Sequence, residues 1–467
     1  MPAISPRKDA TLQDLLFLVP LTLLFLFYGL GSGSLASWDE AYYAVVSREL
    51  LRSRQWLDLY FTGALWFEKP PLAFWATAFF YKLFGISEFT ARLFSAACGA
   101  GTVLLTYFFG RKLFNRWTGL CGALVLLSSS HFLRFSRFGM LDAPLTFFLT
   151  LALFFFWLGR TDNRLLFLSG LPLGLAILTK GVVGVLVIPV VWVYCLGARR
   201  FDILKRPAYW GGIALACATA LPWYLYETLA HPGIFFQNAL VNQVFLRATT
   251  VLADHKGNSL FYLRVLVNKY HPWILLGVIS APLFLWKAFR DGEDESVFVA
   301  SWIFVVFALF SLAKTKLAWY IFPLYPALSL SVAYVFTLAF KEKYAAYAKF
   351  LFVAVLALQQ LYSHILQIEY SRPVKAALPL IEKNVPRDAT VYLYRYHEQP
   401  AAVFYFDRKV AHLDTTAELE AASRQGKDFY CLVRTQDLKE VAPHLSGANI
   451  SSTGPIEGLV FLAEKAH

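Results

Sequence analysis

Charge is scarce in this 467-residue chain: Asp, Glu, Lys and Arg make up only 16% of it, against about 25% in soluble globular proteins. Apolar residues fill the gap at 58%, with 43 Phe, 24 Tyr and 13 Trp. This balance excludes a disordered, fibrous or ordinary cytosolic protein and predicts a polytopic α-helical membrane protein. Cysteine is also sparse. Four of the five, Cys98, Cys121, Cys195 and Cys217, lie in apolar runs, where Cys behaves as a small hydrophobe. Only Cys431 lies in the C-terminal tail, so the tail has no internal disulfide, and no Cys pair has metal-ligand spacing. The sequence also lacks a phosphate-binding Gly-rich loop, a Walker pattern, a Rossmann fingerprint and a zinc-protease motif. It has no clear internal repeat and no low-complexity stretch.

What it has is a series of apolar runs. A span needs about 20 mostly apolar residues. Eleven runs qualify: 15–32, 91–110, 118–135, 141–159, 165–179, 182–196, 208–226, 272–289, 297–312, 317–340 and 347–368. The fifth and sixth are short and nearly fused at Lys180-Gly181. With the N-terminus inside, the inner loops are short and basic, holding Arg7, Lys8, Arg111, Lys112, Arg116, Arg160, Arg164, Arg199, Arg200, Lys205, Arg206, Lys287, Arg290, Lys341, Lys343 and Lys349. This is the pattern of the positive-inside rule. It explains the net charge of +12 without a nucleic-acid partner. The tail from Ser371 holds twelve basic and twelve acidic side chains and is neutral. Eleven spans, or thirteen, place it outside. The run after Arg7 and Lys8, ending in Ser34-Leu35-Ala36, also resembles a signal peptide. It is long for one, and many further spans follow.

The expected organisation is therefore a transmembrane domain over 1–370 and a small periplasmic α/β domain over 371–467. Two outer loops, 33–90 and 227–271, interrupt the first. Trp38–Arg54 has the pattern of an amphipathic helix lying on the membrane surface. In the tail, strand-like runs at 390–394, 401–406, 429–433 and 459–462 alternate with helical runs at 374–383 and 417–424.

Ionisable groups near membrane depth are costly and mark function. The outer face collects Asp39, Glu40, Glu68, Lys69, Arg134, Arg137, Asp142, Lys180, Arg247, His255, Arg264, Lys314 and Lys316, which implies a shared outer cavity carrying both signs of charge. Each has a structural reading beside the functional one. Ser37-Trp38-Asp39-Glu40 reads as a capping box, which accounts for Ser37 and Glu40 but leaves Asp39 free. Pro70-Pro71 holds Glu68-Lys69 extended, so each side chain needs its own partner. Lys69 either snorkels to headgroups, or binds a phosphate or holds Asp39 in place. Asp142 caps the fourth span or receives an acceptor amine or hydroxyl. Lys180, Arg247, Lys314 and Lys316, with Tyr320 one turn on, are either interface decoration or ligands of a polyanionic headgroup. His255 and His271 read as solvated loop histidines. A soluble nucleotide donor cannot reach this face, so the donor arrives on a lipid.

Several motifs together resemble a known family. They are Trp38-Asp39-Glu40-Ala41-Tyr42-Tyr43-Ala44, Phe67-Glu68-Lys69-Pro70-Pro71-Leu72, the run from Arg137 to Asp142-Ala143-Pro144-Leu145, Leu178-Thr179-Lys180-Gly181, His271-Pro272-Trp273, and Lys316-Leu317-Ala318-Trp319-Tyr320 leading to Pro323 and Pro326. Over about residues 15–340 the chain resembles the protein O-mannosyltransferase and aminoarabinose (lipid A) transferase superfamily, membrane glycosyltransferases of the C-type (GT-C) fold. The resemblance implies an inverting transfer of sugar from a polyprenyl-phosphate donor to a lipid A, glycan or protein acceptor. It places the reaction at the periplasmic face of a bacterial inner membrane. It makes Asp39 the catalytic carboxylate and Lys69 the lysine that contacts both this carboxylate and the lipid phosphate. Arg247 and Tyr320 match positions at that phosphate, and Lys180 and Asp142 further cavity positions. Glu40, Tyr43, Lys314 and Lys316 fall in or beside the same motifs as binding candidates. Glu68 matches a carboxylate that takes part in a metal site in aminoarabinose transferases. There a Glu-His pair precedes the arginine. Here Asn242, Gln243 and Val244 stand in that place, which argues against a divalent metal, and no cofactor is required. The tail is shorter than expected for lipid A-modifying members.

Two other classes compete. A transporter or flippase of lipid-linked glycans also needs a charged cavity, but more often shows inverted repeats and broken spans near the midplane. An outer-face phosphotransferase normally uses a metal cluster or an activated Ser or Thr, and neither stands out.

Overall fold

A computed structural model describes residues 6–246, 249–250, 257–363, 370–424, 428–445, 450–452 and 454–464. Arg247 and His255 lie outside the described residues. The chain divides into two compact units: Met1–Leu30, Phe67–Thr77 and Arg92–Leu366 form the first, and Gly31–Trp66, Ala78–Ala91 and Gln367–His467 the second.

The first unit is helical, and each of the eleven apolar runs is mostly helical over its described residues. Among the described residues, seven stretches are long and apolar enough to cross a membrane: Ala10–Phe27, Glu88–Leu113, Asp142–Gly159, Asn163–Gly197, Asp294–Leu312, Ala318–Ala339 and Glu342–Leu361. Large apolar side chains face outward from the bundle, such as Phe289 at 90% and Leu275 at 76% exposure. Side chains of this kind need an apolar solvent.

Local chemistry explains the breaks. The third run divides into Arg116–Leu127 and Ser130–Ser136. Between them the Ser128 and Ser129 hydroxyls donate back to the carbonyls of Leu124 and Val125, at 2.5 and 2.7 Å, which bends helices. The fifth and sixth runs separate at Gly181, whose φ of +62° suits glycine. Helix Gly170–Lys180 ends there, and the 3-10 segment Gly181–Leu186 follows. Gly184 then packs on the backbone of Ala176 and Ile177 so closely that a Cβ would come within 2.4 Å.

Charged side chains tie the loops at one end of this unit. Asp14, fully buried, accepts two 2.7 Å bonds from the Arg116 guanidinium. Arg116 also reaches Glu342 at 2.6 Å, and Lys349 stands 3.9 Å from Asp14. Asp294 accepts from Arg160 at 2.8 Å and Arg200 at 3.0 Å, and Arg206 donates to the Arg160 carbonyl. A different set of loops meets elsewhere. Ser130 bonds the carbonyls of Lys269 and His271, the Trp273 indole donates to Ser128, and the Gln359 amide donates to the Ser128 and His271 carbonyls.

The second unit joins the first loop to the tail. Helix Asp39–Ser53 opens it, followed by a hairpin of β1 (Tyr60–Phe61) and β2 (Ala64–Leu65). Thr62 and Gly63 at the hairpin turn have φ of 51° and 81°, the positive values that a two-residue turn needs. The Glu49 carboxylate accepts both their N–H groups. The tail supplies β3 (Thr390–Tyr394), β4 (Lys409–Leu413), β5 (Phe429–Arg434), β6 (Ile450–Ser452) and β7 (Leu459–Glu464), in sheet order β4-β3-β5-β7-β6. β4 and β5 both run parallel to β3, while β7 runs antiparallel to β5 and β6. Alternate residues face opposite layers. Val391, Leu393, Tyr430, Leu432 and Phe461 pack with Ala41, Ala44 and Val45 of the first-loop helix and with Ala401, Ala402 and Phe406. Tyr394, Cys431, Val433, Val460 and Leu462 pack with Leu419, Ala422 and Val441.

Two expectations are corrected here. The run 401–406, expected as a strand, lies in helix Gln399–Phe406. A short apolar run does not distinguish the two states, and parallel β3 and β4 require a crossover between them. The polar face expected of helix Asp39–Ser53 is not left exposed either, for nine of its fifteen residues are buried. Arg48, expected on a wet face, is 5% exposed. Its guanidinium donates to the carbonyls of Phe404 and Val403 and stands 3.2 Å from Asp407. The polar stripe is thus satisfied inside the unit. Leu35 N–H to Tyr405 Oη, Ser371 N–H to Ser34 Oγ and the Lys375–Glu88 pair complete the joining of loop and tail.

Candidate active site

Phe67 anchors the Glu68-Lys69-Pro70-Pro71 segment. It is 5% exposed and packs with Leu178, Ala220, Trp223 and Phe235. The carbonyl of Pro71 accepts the first helical bond, from Trp75 N–H, so the prolines set the entry to helix Leu72–Phe84. Between the buried Phe67 and the prolines, Lys69 has little freedom. Its ammonium donates to the Gln243 amide oxygen at 3.1 Å and to the Glu68 carbonyl at 3.1 Å. The Glu68 side chain is exposed. Gln243 itself escaped sequence reasoning. Its only signal was that it stands where an acidic or imidazole ligand was expected.

The turn at Lys180-Gly181 lies against this segment, for a Cβ on Gly181 would stand 4.0 Å from Pro70 Cγ and 3.5 Å from Tyr224 Oη. Lys180 is the last residue of its helix, where a cation is favoured. Its Nζ is 2.6 Å from Asp142 Oδ1, with side chains 9% and 2% exposed, and 5.0 Å from the Tyr320 ring centroid. Asp142 begins helix Asp142–Gly159, but the N-cap residue is Leu141, with no side-chain cap bond. The carboxylate thus complements the helix N-terminus by charge and pairs with Lys180. Tyr262, also missed from sequence, is fully buried. Burial pushes its phenol up, and the charges of Tyr320 and Asp142 act in the same direction.

Other candidates are placed differently. Lys316 is occupied with the helix before it. Its ammonium donates to the carbonyls of Phe310, Ser311 and Ala313, at 3.3, 2.6 and 2.7 Å, capping the C-terminus of Asp294–Leu312. Burial lowers its pKa, and Lys314 adds to the shift. Lys314 is exposed. Arg137 is fully buried and donates to the carbonyls of Phe25 and Tyr28, fastening the end of helix Pro6–Phe27. In the second unit, Asp39 is half-buried in the first turn of its helix. The capping box expected from Ser37 and Glu40 is not formed: the N-cap is Trp38, with no side-chain cap bond. Glu40 is fully buried and accepts the Ala36 N–H at 2.8 Å. Tyr43, 6% exposed, packs edge-on against Trp66. Glu40 and Tyr43 therefore shape the loop that carries Asp39.

The residues around Glu68 do not fit a metal ion. Glu68 belongs to none of the His, Cys, Asp and Glu groups within joint ligand reach among the described residues. The Lys69 ammonium and the neutral Gln243 amide occupy the neighbouring positions, and an ammonium repels a second cation.

The family described as dolichyl-phosphate-mannose-protein mannosyltransferase matches residues 68–226, from the Lys69 segment through the Lys180 turn. An undecaprenyl phosphate-alpha-4-amino-4-deoxy-L-arabinose arabinosyl transferase from Aeromonas hydrophila is 30% identical over 327 residues, covering 67% of this chain and 58% of its own length. An uncharacterized Aquifex aeolicus protein is 30% identical over 325 residues, with 68% of this chain and 63% of its own length covered. The structure of ArnT from Cupriavidus metallidurans bound to undecaprenyl phosphate shares the fold over 98% of both chains, with a TM-score of 0.78 at 19% identity. The chain belongs to the GT-C glycosyltransferase superfamily. Within it, the archaeal oligosaccharyltransferase AglB from Archaeoglobus fulgidus is a more distant fold relative, with a TM-score of 0.58, 12% identity, and 93% of this chain and 70% of its own covered. The chain spans about three-fifths of the length of the two sequence relatives named, while the fold match to the GT-C protein ArnT runs nearly end to end. A transporter reading is not favoured by these matches.

Proposed function

We propose that this GT-C protein is an inverting glycosyltransferase of the bacterial inner membrane. It moves a sugar from a polyprenyl-phosphate donor to a lipid A, glycan or protein acceptor at the periplasmic face. The observation that carries this reading is the cationic corner of the first unit. There the Lys69 segment lies against the Lys180 turn, and Lys180 is fixed by Asp142 beside Tyr320. Lysines held in this way are suited to a phosphate. The names of the relatives, which specify an undecaprenyl phosphate-linked sugar and a dolichyl-phosphate-mannose family, agree with a lipid-carried donor.

In the reaction, the acceptor hydroxyl attacks the anomeric carbon. The bond from that carbon to the phosphate oxygen breaks, and polyprenyl phosphate leaves. Asp39 takes the hydroxyl proton as general base. Lys69, with Lys180, Tyr320 and Arg247, stabilises the charge gathering on the phosphate. A single displacement inverts the sugar and needs no cofactor. The topology follows from eleven spans with the N-terminus cytoplasmic and the tail unit periplasmic. Support comes from the loops expected inside, which are bonded to one another through Asp14 and Asp294.

The test is transfer of radiolabelled sugar from a panel of purified polyprenyl-phosphate sugars, in detergent, onto a crude outer-envelope acceptor mixture. Wild type and Asp39→Asn are compared. Transfer by wild type alone is the expected outcome, and the productive donor names the sugar. Equal transfer by both proteins removes Asp39 from the chemistry.

A further inference from the structure

Three side chains of the second unit that the proposed reaction leaves unused meet at one place. His397 follows β3, His412 sits on β4, and Asp414 comes directly after β4. The two strands run parallel, with Leu393 opposite His412. All three residues therefore fall at the carboxyl end of one strand pair, the edge where open parallel sheets bind ligands. The imidazoles lie close: His412 Nε2 is 2.6 Å from His397 Nδ1, and the ring centroids are 4.5 Å apart. Asp414 Oδ1 lies 3.9 Å from His397 Nε2. One ligand atom from each residue lies within 4.8 Å of the other two. His412 turns Nδ1 into the protein, where it has no hydrogen-bond partner, so Nε2 is the nitrogen offered to the cluster.

We propose that His397, His412 and Asp414 form a binding site for a divalent transition-metal cation, with zinc as the type. Two imidazoles and one carboxylate suit zinc, cobalt, nickel or copper, whereas calcium and magnesium prefer an all-oxygen shell. Zinc–nitrogen bonds of about 2.0–2.1 Å place two tetrahedral nitrogens about 3.3 Å apart, so the two imidazoles need open by less than about 1 Å. The loops permit this, for the side chains of His397 and Asp414 are 75% and 61% exposed. Three protein ligands leave a fourth position for water or an anionic oxygen, as in open zinc sites. The site ties the loop after β3 to the end of β4. Fifteen residues separate the two histidines in sequence, and only the parallel pairing brings them together.

The test uses the full chain in detergent, purified without a histidine tag and stripped of metal. Zinc is titrated against a chromophoric chelator, and cobalt is followed by its visible absorption. Wild type should take up one zinc per chain and give a tetrahedral cobalt band. His397→Ala and His412→Ala should each weaken zinc binding at least about 100-fold, and Asp414→Asn about tenfold. His444→Ala, which alters a histidine paired with Glu420 elsewhere in the unit, should leave binding unchanged. His397 is mostly solvent-exposed, so its replacement keeps the fold, and circular dichroism checks this. Zinc bound equally well by His397→Ala and wild type overturns the proposal. So does a wild type that binds zinc no better than the His397→Ala/His412→Ala double variant.

Discussion

Helix Asp142–Gly159 carries a different kind of charge at each end. At about 1.5 Å per residue its eighteen residues rise about 27 Å, close to the thickness of a bilayer core. At its start, Asp142 and Lys180 form one nearly dry pair beside an aromatic ring and next to the Lys69 segment. At its end, Arg160 shares Asp294 with Arg200, donates to Tyr194 Oη and lies over the Trp157 ring. The second end is redundant and partly wet, with side chains 15–37% exposed. That is how a structural anchor is built, since losing one partner leaves another. The first end is a buried ion pair with side chains 9% and 2% exposed, an arrangement that stability alone does not favour. The difference separates charges kept for folding and topology from charges kept for chemistry.

The largest expected effect is at the Lys69 segment. Lys69→Ala should lower sugar transfer about 100- to 1,000-fold, the usual result of removing one donor from a developing oxyanion. Initial rates at saturating donor measure it. Next comes the buried pair. Lys180→Ala should destabilise the protein by about 3–5 kcal/mol, because Asp142 is left buried without its cation. The double variant Asp142→Asn/Lys180→Gln should recover most of that stability in a thermal unfolding assay but not the transfer rate. Recovery of both would make the pair structural. Gln243→Ala should cost about tenfold in transfer, the size of one hydrogen bond to a charged group. Gln243→Glu should weaken donor binding, because a carboxylate competes with phosphate for Lys69.

How far the sequence reveals these sites depends on whether a residue's partner is local. The apolar runs stand in the sequence because membrane solvation acts on every residue of a span, and each run is mostly helix over its described residues. Asp142 and Lys180 were both visible as candidates, but not as a pair, because 38 residues separate them. Lys316 looked like a phosphate ligand. It serves as a cap because helix Asp294–Leu312 ends one residue before the Ala313 carbonyl it binds, and helix ends are the least legible feature of a sequence. The same shift by one residue explains Glu40, whose helix is capped at Trp38 and not at Ser37. Gln243 was legible only as something missing.

The smallest effect tests the second unit. The Arg52 guanidinium, bonded to Asp407 at 2.6 and 2.8 Å, holds that carboxyl below its usual range, with Arg48 adding to the shift. A carboxyl whose folded pKa is depressed stabilises the folded state above the unfolded pKa of about 3.9 and loses that contribution as pH falls through the folded value. Asp407 is 39% exposed, so solvent screens the effect. The melting temperature of wild type should fall slightly more than that of Asp407→Asn between pH 6 and pH 3.

One side-by-side measurement tests the central distinction most directly: the sugar-transfer rates of Lys69→Ala and Arg160→Ala against wild type, on protein matched for monodispersity. Arg160→Ala should stay within about threefold of wild type, because Arg200 still holds Asp294, while Lys69→Ala should lose at least about 100-fold. Full activity in Lys69→Ala, or an equal loss in both variants, would contradict the assignment of the Lys69 segment to chemistry and of the Arg160 end to folding.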